Sequence, residues 1–285
     1  MSGVGEEGSA DASGTGGGGS GLDWQPPQPG PAVRGTVIVL PGRGEHAGVY
    51  ERLGRRLAFD AYAVYALDVT PQDDPVGLRD RVAAITAQAT APVVLIGSDT
   101  GALHALALVA EGKVDVEGVV LAAIPGPRQA TPAAAAASVL SVSGGADAWE
   151  RELAARTTCP THRGKLTEDA TFRRGSLFEP VPDRLASLPV FDGSGYAEIG
   201  TVTLVLHGGA DPIAPVEQAR SLAARLPRAE FAVVPTAPHD VLNDSTHRSV
   251  AALIVQWLER LRGGPGFARI VELEDLGAKP IPVSR

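Results

Sequence analysis

The chain has 285 residues, a formal net charge of −8 at pH 7 and 44% hydrophobic residues. This acidity argues against nucleic acid or an anionic membrane surface as the main partner, and no apolar run is long enough to cross a bilayer, so stable membrane insertion is not expected. The single cysteine, Cys159, cannot form an internal disulfide, and the first residues lack the features of a signal peptide. We therefore expect a cytoplasmic protein with one α/β domain and an insertion.

Residues 1–31 are rich in Gly and Pro, and Gly16–Gly19 and Gln25–Pro29 are the most biased stretches. Such a composition buries too little apolar surface to offset the entropy lost when the chain is ordered. We expect a disordered tail that adds nothing to the folded core, although Trp24 could dock locally.

Short apolar strands and helices alternate on both sides of a central break. The predicted strands are Thr36–Leu40, Tyr62–Leu67, a run that opens at Val93, and residues 116–124, 202–207 and 231–234. The predicted helices are residues 51–59, 76–89, an Ala- and Leu-rich stretch after residue 99, and residues 215–226 and 244–261. This rhythm predicts a doubly wound, mostly parallel α/β sheet, with a core formed by residues 32–124 and 200–262.

The alternation stops between residues 125 and 199, where short helical stretches are joined by Pro and Gly turns. This segment is too long for a plain loop, so we predict an inserted helical lid over 125–199, and a loose C-terminal tail over 263–285. Trp149 and Tyr196 are the candidate substrate-binding residues of the lid. The charged side chains considered in the lid are Arg156, His162, Arg163 and Arg173. We expect most of them to be solvated and at most one or two to line a pocket.

The stretch from Val93 to Val109 runs from a buried strand into a helix through the string Gly97-x-Asp99-x-Gly101. Small residues two positions before and after the centre let the chain turn sharply and hold the central side chain at the helix N-terminus. An isolated Asp at the start of a helix is more often an N-cap. The interpretation of Asp99 as the centre of a nucleophile elbow therefore depends on the rest of the chain.

Other motifs accompany this string in a fixed order. Leu40–His46 is followed by Tyr50, then by Gly97–Gly101, then by Leu206–Pro212 and finally by Pro238–Asn243. Together these segments resemble the oxyanion loop, nucleophile elbow, acid loop and histidine loop of the α/β-hydrolase fold. They are most similar to its monoacylglycerol lipase and lysophospholipase-like branch. The order nucleophile, acid, histidine is also that of this fold.

The resemblance implies a role for each matching position. Asp99 takes the position of the nucleophile, Asp211 that of the orienting acid and His239 that of the base. The backbone N–H groups of Arg43 and Thr100 would form the oxyanion hole. The resemblance thus implies a hydrolase of esterase type with a variant nucleophile.

Two residues depart from the family pattern, because Pro41 replaces the usual His and Asp99 replaces the usual Ser. A carboxylate that attacks an ester would form a high-energy anhydride, whereas displacement at saturated carbon gives an alkyl ester that His239 can hydrolyse with water. Between two carboxylates, Asp99 and Asp211, the imidazole is expected to be protonated at rest. It becomes a base once Asp99 is esterified.

Several interpretations stay open on the sequence alone. Asp-nucleophile hydrolases usually have His-Gly-x-Pro in the oxyanion loop, which Pro41–Gly44 does not match, and epoxide-opening enzymes typically present two lid tyrosines, whereas Tyr196 is alone here. Asp99 and His239 could instead shuttle protons in an elimination, a retro-aldol reaction or a cyclisation. A third alternative is a binding protein that has lost nucleophilic chemistry.

The neighbouring Ser98 is a weak alternative nucleophile, because an elbow turns adjacent side chains to different sides. Cys159 and His162 have metal-ligand chemistry but lack further ligands, so no metal site is predicted. We expect no cofactor, a small-molecule or lipid-like substrate, and no nucleic-acid partner. A homodimer is possible on this sequence.

Overall fold

The computed structural model describes residues 21–126, 147–186, 195–264 and 266–271, in which the short apolar runs form one seven-stranded sheet. The strands are β1 (Gly21–Trp24), β2 (Gly35–Leu40), β3 (Tyr62–Leu67), β4 (Val93–Ser98), β5 (Gly118–Ala122), β6 (Val202–Gly208) and β7 (Ala229–Val234). The α-helices are α1 (Glu51–Phe59), α2 (Pro75–Thr86), α3 (Thr100–Ala110), α4 (Ala148–Arg156), α5 (Pro160–Glu168), α6 (Asp183–Ala186), α7 (Val216–Arg225) and α8 (His247–Arg262).

The strands lie in the order β1-β3-β2-β4-β5-β6-β7, and all neighbours are parallel except β1 and β3. The chain leaves β2 for β3 on one side and returns to β4 on the other, so the order reverses between β2 and β4. The register pairs Leu40 with Gly97 at this point. Ligand sites in open α/β sheets lie beyond the carboxyl ends of the strands at such a reversal. The loops that follow Leu40 and Ser98 both begin there.

Hydrophobic side chains cover both faces of the sheet. One buried cluster joins Leu95 and Leu121 to α2, α3 and α7, and the other joins Val94 and Val120 to α1 and α8. Alternate residues of a single strand thus point to opposite clusters, as expected for a strand buried on both faces. This arrangement confirms the predicted doubly wound α/β sheet.

The N-terminal prediction is wrong for Gly21–Trp24, which forms β1 and pairs antiparallel with β3. Trp24 is only 7% exposed and lies over Gly54 of α1, where an added Cβ would come within 2.2 Å of the indole ring. Burial of one large aromatic ring, together with four residues of strand pairing, orders a segment that its composition assigned to the tail. Residues 1–20 lie outside the described residues.

The segment between β5 and β6 contains the predicted short helices, and residues 127–146 and 187–194 of it lie outside the described part. We predicted that most of its charged side chains are solvated, but two of the four named are buried, since Arg156 is 1% exposed and His162 is 2% exposed. Both side chains have buried acidic partners, which are described below. By contrast, the side chain of Arg173 is 52% exposed, as expected.

The last helix also differs from its prediction, because it begins at His247 rather than at Asp244. The Asp244 carboxylate does not cap this helix but accepts hydrogen bonds from Thr157 and Thr158 in the inserted segment. After the helix, Phe267 packs on Trp257, so the first part of the predicted C-terminal tail is ordered. Residues 272–285 lie outside the described part. In the described residues, no helix has the length and apolar character required to span a bilayer.

Candidate active site

Asp99 lies at the sharp turn between β4 and α3, with φ 49° and ψ −119°. This positive φ is unusual for a residue other than Gly, and the surrounding packing enforces it. A Cβ on Gly97 would come within 2.3 Å of the carbonyl oxygen of Gly101, and one on Gly101 within 2.1 Å of the Leu40 carbonyl oxygen. The Asp99 side chain makes no capping hydrogen bond to α3. The turn therefore has the geometry of an elbow, and the N-cap interpretation is wrong.

The loop after β2 approaches Asp99 closely, because a Cβ on Gly42 would lie 2.9 Å from the Cβ of Asp99. The next backbone N–H, that of Arg43, donates to Oδ2 of Asp99 at 3.0 Å. Thr100 is the first residue of α3, where backbone N–H groups have no acceptor within the helix. Of the two predicted oxyanion-hole residues, Arg43 thus donates its N–H to the Asp99 carboxylate, and Thr100 follows Asp99 at the start of α3.

The side chain of Arg43 is the main feature that sequence reasoning missed. Its Nε donates to Oδ2 of Asp99 at 2.8 Å and its Nη2 donates to Oδ1 at 2.9 Å, with both residues almost fully buried. Burial alone would raise the pKa of Asp99, but the Arg43 charge and hydrogen bonds, together with His239, hold it well below its usual range. The two-pronged contact therefore keeps Asp99 ionised throughout the neutral pH range.

His239 lies between two carboxylates. Its Nδ1 is 2.8 Å from Oδ2 of Asp211, and its Nε2 is 3.4 Å from Oδ1 of Asp99. Burial disfavours the imidazolium, but Asp211 and Asp99 outweigh it and raise the pKa of His239 to about 10. The ring is therefore protonated at neutral pH. The longer contact is an ion pair rather than a hydrogen bond, so among the described residues the Nε2–H has no acceptor.

Asp211 is fixed by the turn in which it lies. Its Oδ1 accepts from the backbone N–H groups of Ile213 and Ala214 at 2.8 and 3.0 Å, which leaves Oδ2 for the imidazole. Burial opposes its charge, but His239 and His207 hold the pKa of Asp211 below its usual value. The carboxylate orients the ring and keeps its proton on Nδ1.

Asp99, Arg43, His239 and Asp211 form a group that we call the Asp99 quartet. It contains two carboxylates and two cations, so its formal charge is zero at neutral pH. The two oxygens of Asp99 differ within it. Oδ2 accepts from both the backbone and the side chain of Arg43, whereas Oδ1 has one guanidinium donor and faces His239.

A second buried charged group supports the loops of the quartet, and we call it the Arg156 cluster. Arg156 donates to Glu152 Oε1 at 2.9 and 3.1 Å and to Asp240 Oδ1 at 3.4 Å, and it lies 3.9 Å from Glu45. Nε2 of His162 lies 3.2 Å from Oδ2 of Asp240. Asp240 thus belongs to a buried charge network.

The Arg156 cluster connects the inserted segment to both loops of the site. Nη2 of Arg156 donates to the Arg43 carbonyl at 2.8 Å, and Glu45 accepts from the Gly42 N–H at 2.8 Å. The backbone at the end of α4 accepts from the N–H groups of His239 and Asp240 at 3.1 and 2.8 Å. Helix α4 is therefore a support for the oxyanion and histidine loops.

The two predicted substrate-binding aromatic residues do not share an environment. Tyr196 is 4% exposed and belongs to the hydrophobic core, with the guanidinium of Arg225 over its ring at 4.8 Å. Trp149 packs against Phe172 and the guanidinium of Arg174 within the inserted segment. Packing contacts account for both rings, and neither has a contact with the quartet among those described.

In the described part of the chain, no group of three or more His, Cys, Asp or Glu side chains is arranged to hold a metal ion. Cys159 and His162, which have metal-ligand chemistry, contact different partners. The Cys159 thiol lies 3.6 Å from a guanidinium nitrogen of Arg52, whereas His162 faces Asp240.

Several solved structures share the fold of this chain. A monoacylglycerol lipase from Paleococcus ferrophilus superposes with a TM-score of 0.63 at 21% identity, over 85% of this chain and 98% of the lipase. A soluble variant of the monoglyceride lipase from Saccharomyces cerevisiae has a TM-score of 0.63 at 17% identity, over 84% and 91%. An enol-lactonase from Burkholderia xenovorans LB400 has a TM-score of 0.55 at 16% identity, over 82% and 95%.

At these identities the superpositions demonstrate the fold. A search among proteins of curated function found no match. The sequence profile of the alpha/beta hydrolase family matches residues 37–253, a range that begins in β2 and includes all four members of the quartet. The chain therefore belongs to the alpha/beta hydrolase family.

Proposed function

We propose that the chain is a cofactor-free hydrolase that acts on a small or lipid-like organic substrate through Asp99, His239 and Asp211, with Asp99 as a covalent nucleophile. The observation that carries this proposal is the difference between the two oxygens of Asp99. Oδ2 is held by the Arg43 N–H and Nε, in the place where an oxyanion would form, and Oδ1 faces the catalytic imidazole. Oδ2 thus accepts two hydrogen bonds from Arg43, whereas Oδ1 accepts one, from Nη2 at 2.9 Å, and is the oxygen that we assign to the attack.

In the first step, Oδ1 attacks a saturated carbon and the bond from that carbon to the leaving group breaks. The leaving group departs with the bonding electron pair. When the leaving group is an alkoxide, as in an opened epoxide, the Nε2–H of His239 supplies its proton. This step requires an ionised Asp99 and no base, and the quartet holds the carboxylate ionised.

In the second step, water hydrolyses the alkyl ester. Esterification removes the charge of Asp99 and leaves the Arg43 guanidinium beside the imidazole, so the pKa of His239 falls and the neutral ring can accept a proton from water. Attack on Cγ of Asp99 places negative charge on Oδ2, where Arg43 already donates two hydrogen bonds. The Cγ–Oδ1 bond then breaks, and the protonated imidazole of His239 returns its proton to Oδ1. The bond from Oδ1 to the alkyl carbon stays intact, so that oxygen leaves in the alcohol.

The same electrostatics disfavour Asp99 as a proton shuttle. A carboxylate with a pKa far below its usual range is a poor proton acceptor, since efficient general bases have a pKa near the working pH. A displacement at carbon needs only the ionised form. The clamp of Arg43 therefore supports the covalent route over an elimination or a cyclisation in which Asp99 removes a proton.

A single turnover in water enriched in heavy oxygen tests the route directly. Small epoxides, alkyl halides and activated esters are screened first, and a compound that is converted is then used with excess enzyme. Because water attacks Cγ, one heavy oxygen is expected in the peptide that contains Asp99, and none in the alcohol of the first turnover. Conversion with heavy oxygen only in the product would overturn the covalent mechanism.

The variant His239→Gln supplies the matched control. It lacks the base for the second step, so it is expected to accumulate the alkyl ester as a mass increase on the Asp99 peptide. General-base assistance contributes roughly 10²–10⁴-fold, which is enough to trap the adduct. Asp99→Asn is expected to show no adduct. A His239→Gln variant that is both inactive and unmodified with a true substrate would instead support acid–base lyase chemistry.

A further inference from the structure

A second concave surface, separate from the quartet, lies between α1 and α8. Its volume is about 540 Å³, within the range of pockets that hold small organic ligands. Five of its lining residues are basic, none is acidic, and they come from both helices: Arg52, Arg55, Arg56, His247 and Arg248. In a chain of net charge −8, this concentration of positive charge requires an explanation.

Not all of this charge is compensated. Arg55 pairs with Glu51 and Arg56 pairs with Asp60, both as exposed contacts one helical turn apart. Such exposed ion pairs contribute little to stability, and each guanidinium keeps further N–H donors that a ligand can use. The groove therefore keeps its positive character at these two positions.

Arg52 and Arg248 have no acidic partner among the described residues. The guanidinium of Arg52 donates to the Asn243 carbonyl and to the Cys159 sulfur, and neither acceptor is a carboxylate. Both arginines line the same groove as His247, whose Nδ1 lies 3.0 Å from the Asp244 carbonyl oxygen. The groove thus contains two guanidinium groups that lack a carboxylate partner among the described residues.

The rest of the groove is apolar. Leu53, Leu242 and Ala251 line it and are each 3% exposed, so they form a well-packed floor. Phe59 lies at the rim with 76% of its surface exposed, which is unusual for a phenylalanine without a partner. An apolar floor with an exposed aromatic ring favours a ligand that also has an apolar part.

We propose that this groove binds a small organic phosphate, with the phosphate on Arg52 and Arg248 and the apolar part between the floor and Phe59. A phosphate monoester is a dianion near neutral pH, which matches two uncompensated cations. Guanidinium groups present planar pairs of N–H donors that fit phosphate oxygens. This site does not depend on the reaction proposed for the quartet.

Calorimetric titration of the full chain with phenyl phosphate tests the proposal. Binding is expected in the millimolar range or tighter, and it should weaken as salt is added. Arg248→Gln, at an exposed position, is expected to weaken it at least about fivefold, because one charge-assisted contact is lost. Arg220→Gln is the control on the far helix α7, and it should leave the affinity within about twofold. Phe59→Ser should weaken phenyl phosphate but not inorganic phosphate.

Three results would overturn the proposal. The first is no heat of binding for phenyl phosphate at any concentration that is soluble. The second is an equal loss in Arg248→Gln and Arg220→Gln, which would indicate a general effect of charge. The third is association with vesicles that contain phosphatidylglycerol in the absence of binding to phenyl phosphate, which would assign the surface to a membrane contact.

Discussion

The Asp99 quartet and the Arg156 cluster are both buried and both charged, but their charges are balanced differently. The quartet has two anions and two cations. The cluster has three carboxylates, Glu45, Glu152 and Asp240, around the guanidinium of Arg156. Burial and the nearby charge of Asp240 raise the pKa of Glu45, as expected where negative charge is in excess.

This difference indicates a division of labour. In the quartet, each charge has a partner of opposite sign, so the loss of one charge changes the pKa of the remaining groups. The proposed two-step reaction requires this, because His239 must become a base once Asp99 is esterified. In the cluster, one cation holds several acceptors on separate elements, including the Arg43 carbonyl and Glu152. Its role is to support the site, and the single cation should matter more than any single anion.

Removing that cation should have the largest effect. Arg156→Met leaves three buried carboxylates without their counter-charge, and removing one partner of a buried pair costs about 3–5 kcal/mol. We expect a loss of unfolding free energy of that size in urea denaturation. Arg173→Met, on the same segment but exposed and paired with Glu179, should change it by less than about 1 kcal/mol. Similar losses of unfolding free energy in both variants would contradict the supporting role assigned to Arg156.

Within the quartet, the unfolding free energy should depend on the pairing of Asp99 with Arg43 more than on either side chain alone. Asp99→Ser leaves the Arg43 guanidinium buried without its partner and should cost about 3 kcal/mol, whereas the double variant with Arg43→Met should recover about 2 kcal/mol of this loss. Urea denaturation of the four proteins measures the coupling. In Asp99→Ser the unpaired guanidinium also lowers the pKa of His239 and so weakens it as a base. The double variant lacks this cation and should therefore hydrolyse p-nitrophenyl esters faster than Asp99→Ser alone. Additive losses would show that the two side chains act independently.

The sequence predicted the fold and the backbone of the site well, because both depend on local patterns. Apolar runs at regular intervals specify the parallel sheet, and the two glycines around Asp99 permit an elbow. The ends of elements were less predictable. Helix α8 begins three residues later than expected, because the Asp244 carboxylate is used by Thr157 and Thr158 instead of by the helix.

The charged partners could not be predicted, because they are distant in the chain. Arg43 lies 56 residues from Asp99, and Arg156 lies 84 residues from Asp240. The only local signal was the presence of an arginine in the oxyanion loop together with an aspartate at the elbow. Likewise, the composition of the tail does not predict the burial of Trp24, because the ring packs against Gly54 and a hydrophobic cluster formed by residues later in the chain.

The balance of the quartet should also appear in the pH dependence of stability. The pKa of His239 is raised to about 10 in the folded chain, so its stabilising contribution is fully present below about 6.5 and is lost as pH rises through 10. Linkage gives a decrease of about 2 kcal/mol in unfolding free energy between pH 7 and 9. Denaturation at a series of pH values measures it. The decrease should be absent in His239→Gln, and equal slopes would mean that another group is responsible.

The smallest effect should come from a neutral replacement in the cluster. Asp240→Asn keeps the shape of the side chain and removes one of three negative charges around one cation, so relief of repulsion with Glu45 offsets the weakened contact to Arg156. We expect a change in unfolding free energy within about 1 kcal/mol at pH 7. Asp211→Asn is the matched change in the quartet. It removes the shorter of the two carboxylate contacts of His239 at 2.8 Å, and should cost at least about 1 kcal/mol more. If Asp240→Asn were the more damaging variant, the cluster would depend on its anions as much as on Arg156, and the contrast between the two groups would be lost.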